Sequence, residues 1–259
     1  MRGPLLTLLL LCAAAAAPAA PAVFQDTMAQ RTLACTSCHG REGQAGPDGY
    51  YPRIAGKPAG YLYNQLLNFR EGRRHYGLMA GLLATLSDDY LADIARHFAS
   101  LDVPYPPPQR ASAPPEVLAR GQDLATRGDA ERRLPACASC HGKALTGVAP
   151  YVPGLLGLPR DYLNAQLGAW RTGQRRALAP DCMAEIARRL SPDDLSAVTA
   201  FLSSEALPAV AHPVAAETPP APALHKRKGR KAAPAPAPAP EPPPMRCGAA
   251  QPPAARSAK

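Results

Sequence analysis

The sequence predicts an all-α protein built from two tandem copies of one small unit, followed by a disordered C-terminal tail. Three observations predict this. The pentapeptide Cys35-Thr36-Ser37-Cys38-His39 recurs, again followed by glycine, as Cys137-Ala138-Ser139-Cys140-His141. After each copy the same markers return in the same order. They are Pro-x-x-x-Gly-x-Pro from Pro52 and Pro153, Tyr-Leu-x-x-Gln-Leu from Tyr61 and Tyr162, and aromatic-Arg-x-Gly from Phe69 and Trp170. A methionine follows (Met79, Met183), then Leu-Ser-x-Asp from Leu86 and Leu190. From about Leu207 Pro and Ala dominate, a low-complexity composition that does not build a packed core.

Taken in order, residues 23–34 lead into the first pentapeptide through a short helix. Nine Gly and Pro residues between Gly40 and Gly60 then exclude regular structure and suit a chain that wraps a flat ligand. Leu62, Gln65, Leu66 and Phe69 fall at helical spacing and predict a helix from Tyr61 to Arg70. A second loop, Glu71 to Gly81, carries His75 and Met79. Ser87 caps the next helix, Asp88 and Asp89 favour the positive end of its dipole, and Leu91, Ile94, His97, Phe98 and Leu101 give it an apolar-leaning face. Six prolines between Leu101 and Pro115 form a semi-rigid linker. Glu116 to Arg127 is a helix that opens the second unit, which repeats the first and places Pro192 at the favoured first position of its last helix.

The N-terminus reads as an export signal. Met1-Arg2 precedes an apolar run from Leu5 to Leu11 and small residues to Ala22, too short and too soon broken by Pro18 to span a membrane well. The formal charge of +9 is concentrated at the C-terminal end: residues 23–204 carry +3 and residues 205–259 carry +5. The cluster Lys226 to Lys231 offers weak contact to a membrane surface or an acidic partner, although composition favours a solvated linker. Nothing in the body points to nucleic acid. Aromatic residues are only 5% of the chain, thin filling for two cores unless a cofactor supplies apolar bulk.

Cys-x-x-Cys-His is the attachment pattern for c-type haem: two thiols form thioethers with the vinyl groups and the histidine ligates the iron. A thioredoxin-like motif would need βαβ surroundings, and zinc would pair two knuckles rather than leave them 102 residues apart. A soft thioether suits the sixth position of an electron-cycling iron. Met183 is the one Met between His141 and Met245, and no His lies between His141 and His212. In the first unit Met79 is favoured by its match to Met183, with His75 and His97 as rivals. Cys182 and Cys247 remain; Cys182 reads first as an inert buried thiol, then as a disulfide partner of Cys247, then as a thiolate ligand.

These motifs resemble the dihaem class I cytochromes c of the cytochrome c4 kind, over about residues 24–204. The resemblance implies two tandem cytochrome c domains, each wrapped around one covalently bound haem c, that pass single electrons in the bacterial periplasm. On this reading residues 1–22 are the signal peptide, 23–103 the first domain, 104–115 the linker, 116–206 the second domain and 207–259 the tail. Cys35, Cys38, Cys137 and Cys140 hold the two haems; His39 with Met79 and His141 with Met183 are the axial iron ligands. The resemblance also implies that the carbonyls of Pro52 and Pro153 hydrogen-bond the ligand histidines. With both axial positions filled the protein is an electron carrier rather than an enzyme, and a dihaem peroxidase is disfavoured. Its expected partners are redox proteins: a quinol-oxidising complex, a terminal oxidase, or a dehydrogenase of which it is the cytochrome subunit. Cys182 beside a ligand and the basic tail depart from the family pattern.

Overall fold

The computed structural model describes residues 26–46, 49–216 and 247–255. The export signal and the basic cluster at 226–231 lie outside these. Among the described residues no helix is long and apolar enough to cross a membrane.

The first unit runs α1 (Met28–Arg31), α2 (Leu33–His39), a 3-10 turn at Arg41–Gly43, α3 (Ala59–Arg70), α4 (Gly77–Leu83) and α5 (Asp88–Ala99). The second runs α6 (Pro115–Thr126), α7 (Cys137–His141), α8 (Arg160–Arg171), α9 (Cys182–Arg189) and α10 (Pro192–Ser204). The expected caps form. Ser87 accepts from the Tyr90 amide, and Ser191 and Asp194 make a reciprocal capping box at the start of α10.

Each unit has its own core. Leu62, Tyr63, Leu67, Leu91, Ile94 and Phe98 close the first, between α3 and α5. Leu124, Leu163, Val198, Phe201 and Leu202 close the second, between α6, α8 and α10. The linker is fastened to the first unit by the buried Arg53. Its guanidinium donates to the carbonyls of Ala55, Val103 and Pro104 and stacks 3.8 Å from the Tyr105 ring.

The structure departs from the sequence reading in three places. Met79 and Met183 sit on the short helices α4 and α9, not in loops; seven or eight residues are too few for a periodic pattern to be read. A small sheet stands beside α7 in the order β2 (Val152–Pro153), β1 (Gly147–Ala149), β3 (Val214–Ala215), with β1 antiparallel to β2 and parallel to β3. The segment expected to be a disordered tail therefore has defined partners at β3, and again at 247–255. There Cys247 forms a disulfide with Cys182, which replaces the inert-thiol reading of Cys182. Beyond it the Gly248 amide donates to the Pro180 carbonyl, Asn64 and Ala250 exchange two hydrogen bonds, and Arg96 donates to the Pro253 carbonyl. This strap runs from the second unit onto α3 and α5 of the first.

Candidate haem sites

Each pentapeptide closes a short helix on its histidine, and a glycine turns the chain away. Gly40 has φ +76° and Gly142 φ +83°; a Cβ on Gly40 would lie 2.3 Å from the Ala45 carbonyl oxygen. Only glycine takes this backbone without strain. His39 and His141 are thereby buried, at 8% and 7% exposure. The Nδ1–H of His39 donates to the Pro52 carbonyl at 2.8 Å, and that of His141 to the Pro153 carbonyl at 2.7 Å. The bond fixes the tautomer and leaves Nε2 with its lone pair. Burial pushes both imidazoles below their ordinary value, against the carbonyl bonds, which act the other way. Burial likewise raises the Cys35 and Cys140 thiols and pushes Cys137 up to about 11.

Both pentapeptides and both methionines line one continuous cavity of about 2600 Å³ that crosses from the first unit to the second. Cys35, Cys38, His39 and Met79 border its first half; Cys137, Cys140, His141 and Met183 border its second. Its walls include core side chains such as Leu62, Phe98, Leu163 and Leu202. The donor set of thiols, neutral imidazoles and thioethers, facing a roomy apolar space, fits covalent haem.

Of the rivals to Met79, His97 does not border the cavity; it packs edge-on against Phe98, 5.2 Å between centroids. His75 does border it, exposed, with its amide donating to the Gln174 carbonyl in the other unit. The cysteine pairing removes Cys182 as a thiolate donor and anchors the strap one residue before Met183.

Sequence reasoning missed a set of polar residues where the units meet. Arg74 and Arg175 face each other in an isolated antiparallel bridge, flanked by the bonds from the His75 amide to the Gln174 carbonyl at 3.1 Å and from the Arg176 amide to the Arg73 carbonyl at 2.7 Å. The readable signal was Gln-x8-Arg, present at Gln65/Arg74 and again at Gln166/Arg175. Lys57, 4% exposed, reaches across to the Gly154 carbonyl at 3.1 Å, and burial pushes its ammonium down to about 7.

The cytochrome c family model matches residues 118–206. The thiosulfate dehydrogenase electron acceptor of Thiomonas intermedia is 37% identical over 158 residues, covering 60% of this chain and 70% of that protein. Cytochrome c4 of Pseudomonas aeruginosa is 35% identical over 146 residues, 56% and 70% of the two chains. Among solved structures, reduced cytochrome c4 from Pseudomonas stutzeri superposes with a TM-score of 0.59 at 28% identity, covering 68% of this chain and 96% of that one. The thiosulfate dehydrogenase of Marichromatium purpuratum gives 0.56 at 34% identity, and this chain spans 36% of its length. Paired pentapeptides, paired histidine–carbonyl bonds and relatives matched over seven-tenths of their length lead to one conclusion: the chain belongs to the cytochrome c4-like dihaem class I cytochromes c.

Proposed function

We propose that the protein carries single electrons between redox proteins of the bacterial periplasm through two His/Met haems, His39 with Met79 and His141 with Met183. Electron transfer by covalently bound haem c is the property of the family; the count, the ligands, the export by residues 1–22 and the domain limits 23–103 and 116–206 are our assignment. The observation that carries it is that both pentapeptides and both methionine-bearing helices border one cavity, with each histidine Nδ1 tied to a carbonyl.

Bound haem iron supplies a one-electron ferric–ferrous couple. The chain's residues do the rest. Cys35, Cys38, Cys137 and Cys140 supply the thiols for attachment. The Pro52 and Pro153 carbonyls hold each imidazole in one tautomer and orientation. Met79 and Met183 offer soft sulfur, which raises a potential above that of a second imidazole. Apolar side chains of both cores line the cavity that would hold the haems.

A pyridine haemochrome assay on purified full-length protein should give two haems c per chain. Near-infrared magnetic circular dichroism should show ferric iron–thioether bands for both. Met183→Ala should turn the second haem high-spin, and Met79→Ala the first. Two His/His haems in the native protein would refute the ligand assignment, and Met79→Ala leaving the first haem low-spin would point to His75.

The relatives named as thiosulfate dehydrogenase electron acceptors favour a second reading, that the partner is a periplasmic dehydrogenase and this chain its cytochrome subunit. Rapid reduction of the haems by such an enzyme with its substrate, and copurification of the two, would favour it over a free carrier.

A further inference from the structure

The two methionine-bearing helices are held differently. Met79 and Met183 are counterparts in the repeat, so the residues before them, Leu78 and Cys182, are counterparts as well. Leu78 is exposed and offers no crosslink, whereas Cys182 is bonded to Cys247 of the strap. α9 has only eight residues, too few to hold itself by propensity. Within its own unit it is fastened by Asp181, whose carboxylate accepts from the Ala184 amide at 3.0 Å and the Ala177 amide at 2.7 Å. At its other end Arg189 donates to the Arg133 carbonyl at 2.7 Å. The disulfide adds a hold from outside the unit, one residue before Met183.

The strap carries that hold to the first unit. Gly248 lies so close to the turn before α9 that a Cβ on it would sit 2.4 Å from the carbonyl oxygens of Leu178 and Ala179. Its amide donates to the Pro180 carbonyl at 2.9 Å. Ala250 packs against the first core and exchanges bonds of 2.8 and 2.9 Å with Asn64, and Arg96 donates to the Pro253 carbonyl at 2.8 Å. Hydrogen bonds exchanged with water are weak in net terms, and ordering a whole segment costs entropy at every residue. The crosslink is therefore what fixes the strap. Cys247 is exposed and Cys182 half-buried, so an incoming thiol reaches the Cys247 sulfur first. Both cysteines border the same cavity as Met183.

We propose that the Cys182–Cys247 disulfide is a thiol-exchange site, addressed by a dithiol, whose opening releases the strap and loosens Met183 at the second haem alone. The proposal rests on the reading of Met183 as an axial ligand. In the exchange a thiolate of the dithiol bonds to the Cys247 sulfur, the Cys182–Cys247 bond breaks, and Cys182 leaves as a thiolate that takes up a proton. The second thiol then displaces Cys247, which also ends as a thiol. Two electrons pass to the protein, and the dithiol closes to its own disulfide. The pentapeptide cysteines, held in thioethers, present no disulfide sulfur to attack. Reoxidation closes the bond and seats the strap again.

The test uses full-length, haem-loaded protein with and without dithiothreitol treatment, alkylated with iodoacetamide and then reduced with dithionite. Carbon monoxide binding to the ferrous haems is read in the Soret band. Untreated protein should bind carbon monoxide at neither haem. After dithiothreitol, mass spectrometry should find Cys182 and Cys247 alkylated, and carbon monoxide should enter one haem of the two, about tenfold faster or more than before treatment. The double variant Cys182→Ser with Cys247→Ser should behave so without dithiol and respond no further to it. The first haem, with Leu78 in place of the cysteine, is the internal control and should not change.

A disulfide that resists dithiothreitol in the folded protein overturns the proposal. Alkylation of both cysteines with carbon monoxide binding unchanged, or changed equally at both haems, overturns it too. If the serine variant fails to fold, dithiol treatment of the native protein still decides. A haemochrome count other than two, or Met183→Ala protein that excludes carbon monoxide, marks failure of the ligand reading rather than of the exchange site.

Discussion

Replacing Gly121 by alanine tests whether α6 and α10 meet as closely as the structure places them. A Cβ on Gly121 would lie 2.2 Å from the Ala197 carbonyl oxygen and 2.7 Å from the Phe201 Cβ. Ordinary contact needs about 3.5 Å, so the helices must part by about 1 Å. Both neighbours are held: one is backbone, and the other is the root of a side chain 7% exposed. Overpacking of this kind costs about 1–3 kcal/mol, and a blocked backbone belongs at the upper end. Alanine returns about 1 kcal/mol of helix propensity.

The net expectation is a loss of about 2 kcal/mol, or a fall in Tm of about 4–8 °C for a chain of this size. Gly168 in α8 is the matched control, since a Cβ there meets nothing within 4 Å. Gly168→Ala should therefore gain about 0.5–1 kcal/mol. Guanidinium and thermal unfolding of the haem-loaded protein, followed by far-UV circular dichroism, reads both. Equal signs for the two substitutions would refute the close crossing.

Other outcomes follow from the same structure. Cys247→Ser removes a crosslink between residues 65 apart, worth about 4 kcal/mol by loop-closure entropy. Hydrogen exchange at the Gly248 and Ala250 amides should then quicken by up to about 10³-fold; unchanged exchange would mean that the strap holds without its staple. Asp129 and Asp194 share Arg120 and Arg132. Hydrogen bonds from Arg120 and Arg132 hold Asp129 at about 2; burial opposes the same effect at Asp194, but Arg132, Ser191 and Arg120 hold it lower still. Because the folded values lie below the unfolded value of about 3.9, their contribution is complete above that pH and is lost as pH falls through about 2. Urea unfolding across pH 4 to 2 should show the loss, and Asp194→Asn should flatten it; an equal slope in the variant would refute the assignment. Arg53→Met should cost about 2–3 kcal/mol, because three carbonyls lose a charged donor and Tyr105 its stacked cation; a change below 0.5 kcal/mol would show that water replaces it freely.

The sequence by itself determined the duplication, the haem-binding pentapeptides and the main helices. These are written in residues adjacent in the chain: Cys35 to His39 carry attachment and ligation together, Ser87 and Ser191 cap their own helices, and the apolar faces repeat every three to four positions. The histidine–carbonyl bonds were reachable only through resemblance, since His39 and Pro52 lie thirteen positions apart with no helix or strand period linking them. The short helices under Met79 and Met183 are set by packing against neighbours, because a turn or two has too little propensity to show. What tertiary structure alone decided lies between the units and at the strap. Arg74 meets Arg175 and Lys57 reaches Gly154 across the units, and Cys182 of the second unit finds Cys247 of the strap, over separations of 101, 97 and 65 residues. No local pattern encodes such register; it exists only once the units have folded and brought these surfaces, and the strap, together.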